Sequence, residues 1–184
     1  GVSGGIDSAV VSTISALTGM KVKALSMPIR QLKFQDDLSR AHLKWLKNKY
    51  PAHAVAKSNP ILQRLRSVKN QIELDLIQQA CDITEKGFRR VLNFTKPGVW
   101  EYEIEAEFMH EFLRNRSKKF AYTPIIASGN NANVLHYVEN NQQCKKGDLI
   151  LLDVGAEYAN YSSDMTRTIP VSGKFSDRQK AVYN

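Results

Sequence analysis

Cysteine is scarce. Cys81 and Cys144 are the two in 184 residues, too few for a disulfide framework, and such usage suits a reducing compartment, so a cytoplasmic location is expected. Long apolar runs are missing as well. The longest candidate, Leu149-Ile150-Leu151-Leu152, is strand-length, far below the ~18–20 residues of a membrane span, so no membrane partner is expected. No signal-peptide pattern opens the sequence, which runs from Gly1-Val2 straight into Ser3. Disordered, collagen-like and coiled-coil compositions are excluded too: 42% hydrophobic and 24% charged residues are ordinary for a globular chain. The length allows one full domain or two partial ones.

What is present is a basic excess, net +8, spread unevenly. Residues 1–57 hold nine Lys/Arg against three Asp/Glu, and residues 58–184 hold 17 against 15. A charge step of this kind suggests two segments of different origin. A Lys-rich helix face in water accounts for the basic part. Nucleic-acid binding would need an aromatic or helix-turn-helix context, and none is visible, so no nucleic-acid partner is expected.

The first segment reads as loop, helix (9–17, ended by Gly19), strand (21–27, closed by Pro28) and second helix (40–50), a short α/β fragment. Its loop, Ser3-Gly4-Gly5-Ile6-Asp7-Ser8, carries possible chemistry. Gly4 and Gly5 let the backbone approach an anion, and the helix that follows directs free N–H groups at it. Ser3 and Ser8 add hydroxyls, and Asp7 suits Mg²⁺. An ordinary Gly-rich turn is the plainer alternative. The loop resembles the pyrophosphate loop of ATP pyrophosphatases. With Met27-Pro28-Ile29-Arg30 and the Trp45-Leu46-Lys47 helix, residues 1–51 look like part of an NAD synthetase. That resemblance implies ATP held by Ser3, Gly4, Gly5 and Ser8, with Mg²⁺ on Asp7. The strand that should precede the loop is reduced to Gly1-Val2.

Residues 52–59, between Pro51 and Pro60, read as a junction. His42 and His53 have no evident partners and read as surface residues. Beyond Pro60 the pattern is cleaner. Asn70 and Glu73 form a capping-box pair. Leu76, Ile77, Ala80, Cys81, Thr84, Phe88, Val91 and Leu92 then recur at helical spacing, so Cys81 reads as a small core residue. A helix over 100–117 has Ile104, Phe108, Phe112 and Leu113 on its inner side, and Glu101, Glu103, Glu105 and Glu107 favouring its positive end. Strands follow at 122–127, around 134–138, at 149–156 and at 161–169. Two helices and then an antiparallel sheet form an α+β arrangement over residues 60–184.

Two carboxylates stand out. Asp153 closes Leu-Ile-Leu-Leu-Asp, and Asp164 lies in Ser-Ser-Asp-Met-Thr-Arg. A hairpin turning around Tyr158-Ala159 would put them directly across from one another, ~5 Å apart at Cβ. One flanked by Leu-Ile-Leu-Leu is expected to be buried, and a buried unpaired carboxylate is costly unless it meets a cation. Hard divalent ions such as Mn²⁺ suit such ligands. The alternative on spacing is that Asp153 caps a strand end and Asp164 pairs with Arg167. His136, expected on a neighbouring strand, tilts the weight towards a site, because its imidazole could bind substrate or shuttle a proton.

The stretches 125–137, 147–158 and 163–176 resemble the pita-bread metallopeptidases, and most closely the Xaa-Pro aminopeptidases (aminopeptidase P). The likeness reaches back to about Pro60. It implies half of a pita-bread fold, with Asp153 and Asp164 binding two metal ions, usually Mn²⁺, and His136 beside them helping substrate binding or proton transfer. The implied reaction removes an N-terminal residue before proline with a hydroxide activated by the two metals. The implied substrate is a peptide with proline at its second position. The resemblance also implies another His and two Glu from the second half of that fold, and the sequence stops at Asn184 before supplying them. Three expectations follow for a chimeric or truncated chain. It is a metallopeptidase-like fragment with little or no activity alone, or an ATP-dependent ligase fragment, or a folded fragment without a site that persists as a binding module or an inert product. A half-fold with an exposed sheet face is also expected to self-associate.

Overall fold

The computed structural model describes residues 6–21, 23–26 and 33–184. The chain divides into two compact units, Gly1–Lys69 and Asn70–Asn184.

The first unit runs α1 (Ile6–Leu17), β1 (Lys23–Ser26), α2 (Lys33–Lys49), β2 (Ala54–Lys57) and α3 (Asn59–Ser67). Gly19, at φ +70°, takes up the left-handed backbone that ends α1. β1 and β2 pair in parallel, Lys23 opposite Ala54 and Ser26 opposite Lys57. Parallel neighbours cannot be joined by a hairpin, so α2 serves as their crossover. The stretch expected as a junction, 52–59, therefore contains a strand and a helix start. Its prolines do not interrupt these elements: Pro51 precedes β2, and Pro60 sits in the first turn of α3, where the missing N–H costs nothing. The two histidines also find partners. His42 Nε2 lies 3.1 Å from Ser12 Oγ. His53 stacks obliquely on Tyr50, with Nε2 3.4 Å from the Ala16 carbonyl.

The second unit opens with α4 (Gln71–Phe94) and α5 (Glu101–Arg114). The capping box forms as expected: Asn70 Oδ1 accepts from Glu73 N at 3.0 Å, and Glu73 Oε2 accepts from Asn70 N at 2.8 Å. Ile104, Phe108 and Phe112 are fully buried, each four residues on from the last. Leu113 turns away and is exposed, contrary to expectation, because one further residue rotates it ~100° off that stripe. Leu92 is likewise exposed on α4. Gly87 lets the helices close: a Cβ there would lie 2.9 Å from both Phe108 and Phe112.

Beneath the helices lies an antiparallel sheet of β3 (Ile125–Ser128), β4 (Leu149–Val154) and, after the short ribbon β5 (Glu157–Tyr158) and β6 (Tyr161–Ser162), β7 (Met165–Pro170). The order is β3-β4-β7. A short α6 (Asp177–Tyr183) follows, capped by Ser176. Ile126, Ile150, Leu152 and Val154 face Ile83, Val91, Phe108 and Phe112 in one core. Each such side chain contributes ~1.5–3 kcal/mol by leaving water. This is the expected α+β layering, preceded by an α/β unit. No helix among the described residues is long and apolar enough to cross a membrane.

One expected strand is missing. Residues 134–138 follow a 3₁₀ helix, Gly129–Asn133, and form a turn with His136 at φ +56°. The β-branched and aromatic run Val134 to Val138 mimics a strand, yet both valines are exposed and no strand among the described residues pairs with them.

Candidate metal centre

The β4–β7 hairpin positions both carboxylates, in a register that differs from the expected one. Asp153 pairs with Thr166, and the same register continues through Glu157 opposite Ser162 and Tyr158 opposite Tyr161. The turn is centred on Ala159 and Asn160, at φ +49° and +69°, the pair of left-handed residues that a two-residue hairpin requires. The turn thus lies one residue later than expected, and Asp164 falls diagonally from Asp153 on the same face. Diagonal neighbours remain within reach of each other's side chains. Asp153 is half-buried, not buried, because β4 alternates: Ile150, Leu152 and Val154 enter the core while Leu149, Leu151 and Asp153 take the other face.

Tyr122 joins the two carboxylates. Its hydroxyl donates to Asp153 Oδ1 at 2.6 Å and to Asp164 Oδ1 at 3.0 Å. Burial, then the two accepting carboxylates and their charge, push this phenol far above its ordinary range. Gly155 makes the arrangement possible. A Cβ there would stand 1.9 Å from the Ser163 carbonyl oxygen and 3.2 Å from Tyr122 Cε1, so the tyrosine ring and the opposite strand occupy a side chain's place. The ladder breaks beside it, and hydroxyls fill the gap. Ala156 N donates to Thr84 Oγ1 at 2.9 Å and Ser163 Oγ at 3.0 Å, and those two hydroxyls are 2.6 Å apart. Buried Thr84, expected as a plain member of the apolar stripe, thereby ties α4 to the hairpin.

The pair fits a divalent cation by its chemistry. Both groups are hard oxygen donors, both are anionic, and the group they share is a neutral phenol. Among the described residues, no Lys, Arg or His forms an ion pair with either. Arg167 donates instead to the Thr166 carbonyl. No cluster of three or more His, Cys, Asp or Glu that could hold a metal occurs among the described residues, so His136 does not join the pair. It stands exposed on its turn. Of the phosphate-loop candidates, Ser3, Gly4 and Gly5 lie outside the described residues, and Asp7 and Ser8 fall within α1. Cys81 is half-buried and lines a groove between α4 and β7 with Phe88, Arg89, Met165 and Arg167. That groove contains none of the site candidates.

The sequence left two residues of this region unmarked as functional. Tyr122 carried no signal, because nothing in its neighbourhood showed that its hydroxyl would reach both aspartates. Glu101 reads in the sequence as a helix-dipole acid, yet it is fully buried and bonded to the segment that carries His136.

Residues 75–184 match the model of metallopeptidase family M24. The chain belongs to that family. Among curated M24 relatives, the Xaa-Pro aminopeptidase of Haemophilus influenzae is 44% identical over 124 residues, which is 67% of this chain and 29% of that protein. Human Xaa-Pro aminopeptidase 3 is 40% identical over 123 residues, 24% of its length. The chain thus spans less than a third of these relatives. Among solved structures, proline aminopeptidase P II from Yersinia pestis superposes with a TM-score of 0.81 at 31% identity, over 96% of this chain and 42% of that one. Escherichia coli aminopeptidase P in complex with substrate gives 0.80 at 30% identity, over 96% and 41%. The structure therefore has the pita-bread type of fold, in the portion corresponding to about half of it. The likeness extends well before residue 75, into the first unit.

Proposed function

We propose that this chain carries part of an Xaa-Pro aminopeptidase site, with Asp153 and Asp164 as carboxylate ligands of two divalent ions, Mn²⁺ by preference. The observation that carries this is the convergence of both carboxylates on one hydroxyl, without a basic side chain, in an M24 chain. A Zn-substituted E. coli aminopeptidase P supports a divalent occupant. The ions supply activation of water and polarisation of the peptide carbonyl. The protein's own part is orientation. Tyr122 aims both carboxylates to one side of the hairpin, and Gly155 admits the ring that does so. His136 binds the peptide or moves a proton to or from it. The substrate is a peptide with proline at its second position, by analogy with the relatives. With two carboxylates converging among the described residues, the chain by itself holds metal weakly and cleaves little.

Calorimetric titration of the chain with Mn²⁺ and, separately, with ATP and Mg²⁺ tests this. Mn²⁺ should bind, and Asp153→Asn or Asp164→Asn should remove the binding. Equal Mn²⁺ affinity in all three proteins would refute the ligand assignment. ATP binding that Asp7→Ala weakens would favour a nucleotide site instead. Cleavage of Xaa-Pro peptides by the purified chain with Mn²⁺, lost on Asp153→Ala, would overturn the expected low activity.

A further inference from the structure

Glu101 opens α5 as a fully buried carboxylate. Five donors reach it, all from residues 128–142. Oε1 accepts from Ser128 N and Ser128 Oγ, both at 2.7 Å, and from Asn131 Nδ2 at 3.3 Å. Oε2 accepts from the Tyr137 hydroxyl at 2.7 Å and Gln142 N at 2.9 Å. A carboxylate offers about four lone-pair sites, so this one is saturated. An acid serving only the helix dipole would need no such partners; here every bond leads to one segment. A second buried side chain ties the same segment. Asn140 accepts from Ile126 N at 3.0 Å, and donates to the Pro124 carbonyl at 3.1 Å and Glu105 Oε2 at 2.9 Å.

His136 stands between these ties. Its φ of +56° is left-handed, a conformation uncommon at a residue with a side chain although histidine adopts it more readily than most. The bonds close on Asn131 and Tyr137, on either side of it. The next-door Leu135 is 91% exposed and offers no packing to hold the turn. The restraint therefore comes from the hydrogen bonds on either side of the turn, those that close on Glu101 nearest to it.

We infer that Glu101 is a positioning residue that fixes where His136 stands. This rests on the reading above, in which His136 serves the site. Glu101→Gln keeps the shape but turns one acceptor into a donor facing donors, so the ties on that side break.

The test is NMR on the 184-residue chain without metal. In Glu101→Gln, the His136 ring resonances should move towards those of a freely rotating histidine. The Ser128 and Gln142 amides should exchange roughly tenfold faster, while those of Leu152 and Val154 stay as in the wild type. Unmoved His136 resonances in a folded Glu101→Gln protein overturn the inference, even if Ser128 exchange accelerates. Tyr137→Phe removes one bond of the five and decides the matter should Glu101→Gln not fold: a smaller shift of His136 in the same direction supports the inference, and none overturns it. Failure of the wild type to bind Mn²⁺ would defeat the metal reading separately, because no arm of this experiment contains metal.

Discussion

Asp153 and Asp164 lie on the same face of the β4–β7 hairpin and share one donor, the Tyr122 hydroxyl. Without a cation, two like charges face each other across a neutral group. Asp164→Asn is therefore expected to leave the metal-free chain as stable as the wild type or stabilise it by about 0.5 kcal/mol, as exposed charge pairs do. The same substitution should abolish stabilisation by Mn²⁺, which for the wild type reaches about 2.7 kcal/mol at a hundredfold excess over Kd. Thermal unfolding with and without Mn²⁺ checks both halves. A clear loss of metal-free stability would mean that the carboxylate is structural.

Gly155 is expected to tolerate no side chain. The atom that an added Cβ would meet at 1.9 Å is backbone oxygen of Ser163, which cannot swing aside as a flexible side chain would. Gly155→Ala should cost about 3 kcal/mol or more, read as a fall in the urea midpoint. A cost below about 1 kcal/mol would show that the hairpin can open there without penalty.

The buried Thr84–Ser163–Ala156 network is redundant at one point. Ala156 N reaches both hydroxyls, so Thr84→Val or Ser163→Ala alone leaves it an acceptor. Each single variant should cost about 1 kcal/mol. The Ala156 amide should remain slow to exchange in both and become fast in the double variant. Fast exchange in either single variant would contradict the paired arrangement.

Three phenols should titrate late, two of them strongly. Tyr122 is raised far above the ordinary value of 10.0, chiefly by burial and then by its two carboxylate partners. Tyr137 is pushed up to about 12, by burial and then by Glu101. A raised phenol holds its proton more tightly folded than unfolded. Its contribution to stability is thus complete below pH 10 and lost as pH rises through the folded value. Alkaline titration followed by tyrosinate absorbance should show Tyr122 and Tyr137 among the late groups, together with Tyr161, which its hydrogen bond to Glu73 also raises. Tyr122→Phe and Tyr137→Phe should each remove one. Ordinary titration of all seven tyrosines would dismiss the assignment.

Local signals carried much of the fold. The Asn70/Glu73 capping box, the Ile104-Phe108-Phe112 stripe and the apolar strand before Asp153 are written at spacings of three, four and two residues, which follow directly from helix and strand geometry. Signals of that kind fail where a stretch has no dominant period. Residues 134–138 look like a strand because apolar residues run through them, but Gly129 and the asparagines after it turn the chain into a 3₁₀ helix and a left-handed turn. Residues 52–59 look like a linker because prolines flank them, although both prolines sit where they do no harm.

The sequence by itself raised two families of chemistry to consider, and it carried the α+β layering and the two carboxylates of the proposed site. Tertiary structure alone decided the register that makes Asp153 and Asp164 diagonal neighbours, the phenol of Tyr122 between them, and the bonds from residues 128–142 that end on Glu101. The reason is physical. Capping and periodicity act within a few residues, whereas the Tyr122 and Glu101 contacts join positions about 30 to 40 apart, and such contacts exist only once helices and sheet have closed on a common core.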